Sequence, residues 1–106
     1  MITQEQLYLH KQWFWTGGRE GERLDLSNAD LRGANLRGAD LSGADMVCVN
    51  MDGAYMHHAD LRGAILHEAN MREANMRDAD LRFAKLEGAD LTDADLTDVK
   101  GLEQDR

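Results

Sequence analysis

Residues 24–46 read LDLSNADLRGANLRGADLSGADM, and in this stretch a large apolar residue returns at every fifth position. The beat runs without a slip from Leu26 through Leu31, Leu36, Leu41, Met46, Met51, Met56 and onward to Leu96, giving fifteen centres. Ala stands two residues before each centre, with Leu24 at the start and Val49 in the middle as the exceptions. Asp or Asn fills most of the positions between them, and Gly often stands two residues after the centre.

A period of five suits neither regular element. A straight strand would send successive Leu to opposite faces, and an α-helix would rotate each by about 140° from the last. Neither arrangement buries a face. The pattern works when each pentad supplies a short extended piece and then turns, so that every Leu and its preceding Ala point to one shared axis. Asp, Asn and Gly at the outer positions tolerate such turns. Repetition of this kind marks a solenoid, in which each coil buries its apolar side against its neighbours.

On the pentads ADLRG, ANLRG and ADLSG, and again on HADLRGA and ADLTDADLT, the chain resembles the pentapeptide-repeat family from Leu24 to about Lys100. The resemblance implies an all-β fold, a right-handed parallel quadrilateral β-helix with four pentads to a coil. Fifteen pentads then make slightly under four coils, a shaft about 18 Å long at roughly 4.8 Å per coil.

The chain divides into a lead-in over 1–23, the repeats over 24–100 and a tail over 101–106. Thr3 followed by Gln6 forms a capping box, the spacing Ile2, Gln6, Leu9, Trp13 follows one helical stripe, and Gly17 and Gly18 supply a stop. A helix is therefore expected from Thr3 to about Trp15. It also looks like the capping helix of some pentapeptide-repeat proteins. A β-helix exposes unpaired backbone at each end, so Leu9, Trp13 and Phe14 are expected to cover the first coil. At the other end Leu102 is the one apolar plug.

The 106 residues hold 20 acidic and 12 basic side chains, a net charge of −8, with no Pro and one Cys. The negative balance argues against direct binding of nucleic acid or an anionic membrane and points to a protein partner. Cys48 excludes an internal disulfide, and no apolar run, Trp13 to Trp15 included, is long enough for a signal core or a membrane span. The protein is expected in the cytoplasm.

No catalytic constellation, phosphate loop or metal-ligand spacing stands out, so an enzyme and a cofactor are not expected. His57 and His58 leave one side of a four-pentad coil and His67 another, which argues against a metal site. His10 is read as a packing residue of the helix, and the Met centres as core filler. Two outward features remain. Val47, Cys48 and Ile65 fall on one side in adjacent coils and form a candidate self-association patch, making the protein a monomer or weak homodimer. Acidic residues gather at the end, where Glu87, Asp90, Asp93, Asp95, Asp98, Glu103 and Asp105 face only Lys100 and Arg106. Of these, Asp90, Asp93, Asp95 and Asp98 form a candidate partner-binding rim.

The expected function is a non-catalytic protein-interaction module with an unidentified partner. The alternative comes from the resemblance: some members confer antibiotic resistance by presenting an acidic rod to DNA gyrase, so this chain too is weighed as a DNA mimic binding a DNA-processing enzyme. From Leu24 to Lys100 it carries 15 acidic and 8 basic residues, a net of −7. B-DNA of about 18 Å carries roughly 10 negative charges, and the basic residues leave no whole side a polyanion.

Overall fold

The computed structural model describes residues 2–102. The central pentad Ala59–Gly63 shows how five residues make one side of the coil, because each of its five amides has its own partner. Ala59 N–H donates to Met56 O at 3.0 Å, closing the preceding turn, and Asp60 N–H donates to Ala39 O in the coil before. Leu61 and Gly63 donate forward, to Asp80 O and Arg82 O. The remaining amide, that of Arg62, donates to the Asp60 side chain at 3.1 Å. The outer Asp or Asn thus accepts the one amide that neither the turn nor a neighbouring coil can reach, which satisfies the backbone.

The same arrangement recurs along the shaft. Parallel bridges join Asp25 to Asp45, Asp30 to Asn50 and so on to Asp80 with Lys100, always twenty residues apart, which fixes four pentads per coil. Each pentad turns through a bond of the Ala29 N–H to Leu26 O kind, with a left-handed residue two positions after the centre. That is the geometry of a type II turn. Gly fills only part of this column; Asn28, Cys48, His58, Glu68, Glu73, Asp78, Phe83, Asp93 and Asp98 occupy the rest at φ of 58–66°.

The interior is a solid stack. Leu41, Met46, Met51, Met56, Leu66, Met71 and Met76 are fully buried, with Ala44, Ala54, Ala64 and Ala74 beside them. Leu36, Leu86, Leu91 and Leu96, in the end coils, are half-buried, and Leu102 packs against the core from the C-terminal end.

One helix, α1, spans Gln4–Trp15, and its N-cap Thr3 makes the reciprocal capping box with Gln6. The chain then doubles back so tightly that a Cβ on Gly21 would lie 2.2 Å from Leu9 O, so only Gly fits there. Glu22 N–H donates to that same carbonyl.

The contact between α1 and the first coil differs from the expected stripe. Ile2 and Leu7 pack on the core, and between them and Trp13 sits His10, fully buried. Its Nδ1 accepts the Leu24 amide at 2.9 Å, and its Nε2 lies 2.7 Å from Ser42 O. Nδ1 is therefore unprotonated and Nε2–H is the donor. Ser42 O is the kind of group that a preceding coil would otherwise satisfy, so the imidazole completes the open edge. Burial lowers the His10 pKa, with the Ser42 carbonyl and Asp40 pulling it up and Arg23 pushing it down. Trp13 stacks on His10 at 5.6 Å and meets Gly43, while the Arg23 guanidinium lies over the Trp13 ring. Of the three residues expected to cover the coil, Trp13 does so through His10. Phe14 reaches the rim at Gly43, and Leu9 contributes its carbonyl to the lead-in. The helix is rotated toward the residue that can satisfy two backbone groups.

Candidate interaction surfaces

The twenty-residue register sorts the outward side chains into four sides. Side one carries the centres Leu26, Met46, Leu66 and Leu86; side two begins at Leu31, side three at Leu36 and side four at Leu41. Charge is divided unevenly among them. Side one sets Asp25, Asp45, Glu68 and Glu87 against Lys85, a net of −3. Side two sets five carboxylates against Arg32 and Arg72, also −3, and side three has a net of −1. Among the described residues side four balances Asp40, Asp60 and Asp80 against Arg62, Arg82 and Lys100 and is neutral.

Much of this charge is paired within the shaft. Arg32 holds Asp30, Arg62 holds Asp60 and Arg82 holds Asp80, at 2.7–2.8 Å. The Arg32 hydrogen bonds draw the Asp30 carboxyl down to about 2. Asp80 is lowered by Arg82 in the same way.

The C-terminal rim is placed as the register requires, with Asp90 and Asp93 on side two and Asp95 and Asp98 on side three. Its four carboxylates are not equivalent. Asp90 accepts from the Thr92 hydroxyl and lies 3.4 Å from Arg72; Asp95 accepts from Thr97 and lies 3.5 Å from Arg77. The threonine bonds are the main reason both have lowered pKa values. Asp93 and Asp98 stand exposed at left-handed turn positions, so they are the protruding charges. Glu103 and Asp105 lie outside the described residues. The Arg72 and Arg77 pairings were open to sequence reasoning, since a residue after one centre faces the residue before the centre one coil on.

Val47, Cys48 and Ile65 share side one, where Asp45 bridges to Ile65 and the Cys48 amide donates to His67 O. Cys48 is exposed, while Val47 and Ile65 are half-buried. Large exposed apolar side chains lie elsewhere, at Tyr8, Trp15, Tyr55 and Phe83. Tyr55, Ile65 and Lys85 also replace the Asp or Asn that accepts the turn amide.

The histidines do not converge. His58 sits 3.7 Å from Asp78 on side three, and His67 sits 3.4 Å from Glu87 on side one. His57 packs edge-on to His58 at 6.0 Å with its Nδ1 buried and unpartnered. Among the described residues no cluster of three or more His, Cys, Asp or Glu could hold a metal ion. No helix among them is long and apolar enough to cross a membrane.

A profile of pentapeptide repeats matches residues 25–63, 40–78 and 74–100, with eight copies. Among solved structures, a pentapeptide repeat protein from Nostoc Pcc 7120 is similar at 33% identity and TM-score 0.74, over 89% of this chain and 73% of that one. A pentapeptide repeat protein from the Arabidopsis thaliana thylakoid lumen is 25% identical over 72% of this chain and 60% of its own, with TM-score 0.47. HetL, a pentapeptide repeat protein involved in heterocyst differentiation regulation from Nostoc sp. strain PCC 7120, is 34% identical over 71% of this chain, with TM-score 0.41. The present chain spans 44% of HetL. Among curated proteins none matches.

Proposed function

The chain belongs to the pentapeptide-repeat family, a right-handed β-helix, and from that premise we propose that it is a non-catalytic module that binds another protein. The observation that carries this reading is the sorting of outward side chains into four continuous sides of unlike charge on a shaft whose interior is filled. Such a body offers extended surfaces of fixed geometry, on which complementarity sets partner choice and on-rate.

The proposed contact is the C-terminal rim of Asp90, Asp93, Asp95 and Asp98, with Asp93 and Asp98 as its leading charges and a basic protein surface opposite. Val47, Cys48 and Ile65 are proposed as an accessory contact for the same partner, and Ile65→Asp should weaken its binding. Cytoplasmic location is part of the proposal, and fractionation of the source cells tests it.

A second reading, mimicry of DNA toward a DNA-processing enzyme, is favoured by one feature: sides one and two adjoin, and each has a net charge of −3. Competition between the protein and duplex DNA for the captured partner separates the two readings.

Affinity capture from the source cells with mass spectrometry tests the main proposal. The partner should be retained by the parent at low salt. It should be lost when Asp90, Asp93, Asp95 and Asp98 are replaced by Asn, which keeps the turn acceptor and removes four charges. Equal retention by parent and variant refutes the rim.

A further inference from the structure

Phe83 occupies a turn position at φ 66°, a conformation disfavoured for a bulky side chain. The residue is 75% exposed, so packing within the chain does not offset the cost of placing a bulky side chain in that column. One coil earlier in the same column stands Gly63, beyond whose Cα there is open space. On its far side Phe14 reaches down from α1. Phe14, Arg62, Gly63, Arg82 and Phe83 together line a notch of about 290 Å³. Trp15, 69% exposed, packs edge-on against Phe14 and extends the aromatic surface.

A projecting ring and a recess that accepts one thus lie one coil apart, at roughly 4.8 Å. The charge around them favours a particular occupant. Over the described residues side four is the neutral side of a chain with net charge −8, and its Arg62 and Arg82 are already held by Asp60 and Asp80. Two copies meeting here bring no net like charge together, whereas contact through sides one and two is repulsive.

We propose that side four is a self-association surface, in which Phe83 of each copy enters the Gly63 notch of the other about a two-fold axis. A patch holding both ring and recess is self-complementary, as a two-fold contact requires. The axis sets the two Phe83 rings side by side, within the roughly 4.5–7 Å separation of favourable aromatic pairs. The body measures 37 × 29 × 22 Å. One of its sides therefore offers on the order of 800 Å², the area each partner contributes to a stable interface. This inference goes beyond the partner reading: a monomeric parent overturns it and leaves capture of another protein untouched.

Sedimentation velocity of the full chain, from about 5 to about 500 µM, combined with thermal melts, tests it. The parent should pass from monomer to dimer within that range. Phe83→Gly should weaken the dimer at least tenfold while melting at or above the parent temperature, because Gly accepts the turn. Gly63→Asp fills the notch with a residue that the equivalent positions 78, 93 and 98 already carry, and it should weaken the dimer likewise. A parent that stays monomeric throughout, or a dimer that survives either substitution unchanged, overturns the proposal.

Discussion

Replacing His10 by Ala tests how the helix is held on the coil. The substitution leaves two groups without partners, the Leu24 amide and the Ser42 carbonyl, now bonded at 2.9 and 2.7 Å. Each unsatisfied buried group costs about 1–3 kcal/mol, so the loss is at least about 2 kcal/mol before the Trp13 stack is counted. For a domain near 100 residues about 4 °C is lost per kcal/mol, so the melting temperature should fall by at least about 8 °C. The same contact carries a pH dependence. The fold lowers the His10 pKa below its model-compound value of 6.5, chiefly through burial. A second proton on Nδ1 would meet the Leu24 N–H head on. The contact's stability is therefore complete above about pH 6.5, where the unfolded chain is neutral at this residue, and is lost as the pH falls below it. Circular dichroism melts at pH 8 and pH 5 should show a drop for the parent that is smaller for His10→Gln, which has an amide donor and acceptor but no titrating group. A His10→Ala protein that melts within about 3 °C of the parent at pH 8 refutes the reasoning.

Other predictions concern the turns. Asp60→Ala removes the acceptor of the Arg62 amide and the Arg62 ion pair and should cost about 1 kcal/mol in chemical denaturation, while Asp60→Asn keeps the turn bond and should cost less than half as much. Glu73→Gly relieves a left-handed residue at φ 58° and should raise stability by about 0.5–1 kcal/mol, read from the same denaturation midpoints. Asp30, held by Arg32, should titrate by carboxyl NMR with a midpoint of about 2. Its depressed pKa makes its contribution to stability present above the unfolded value of 3.8 and lost as the pH falls toward 2.

The repeat carried the fold because a period of five admits a coil and excludes both regular elements, and the period of twenty then assigned every outward residue to a side. Thr3 and Gln6 marked the start of α1 by local chemistry alone. The role of the outer Asp was also within reach, since a carboxylate two residues before an unpaired amide is a turn acceptor. What stayed hidden depends on where the helix sits. His10 meets Ser42 across 32 residues, a distance over which no local pattern operates, so its two nitrogens looked like mere packing. Phe83 stood in a known column, yet its notch appears only when Phe14 is brought beside Gly63. Asp90, Asp93, Asp95 and Asp98 fall on the sides that the register assigns them, but their charge was counted too simply, because Arg72 and Arg77 of the preceding coil reach Asp90 and Asp95.

Recognition by the outside of a rigid shaft makes one demand that can be measured directly. With the captured partner in hand, its dissociation constant should be determined by titration calorimetry against four variants, each with one side's outward charges replaced by Asn or Gln, and with the melting temperature of each recorded. The account predicts a loss of at least tenfold for variants of sides two and three, where the C-terminal rim lies, with each variant still melting as a cooperative fold. Partner binding that survives all four variants, or that fails only when a variant unfolds, would contradict it.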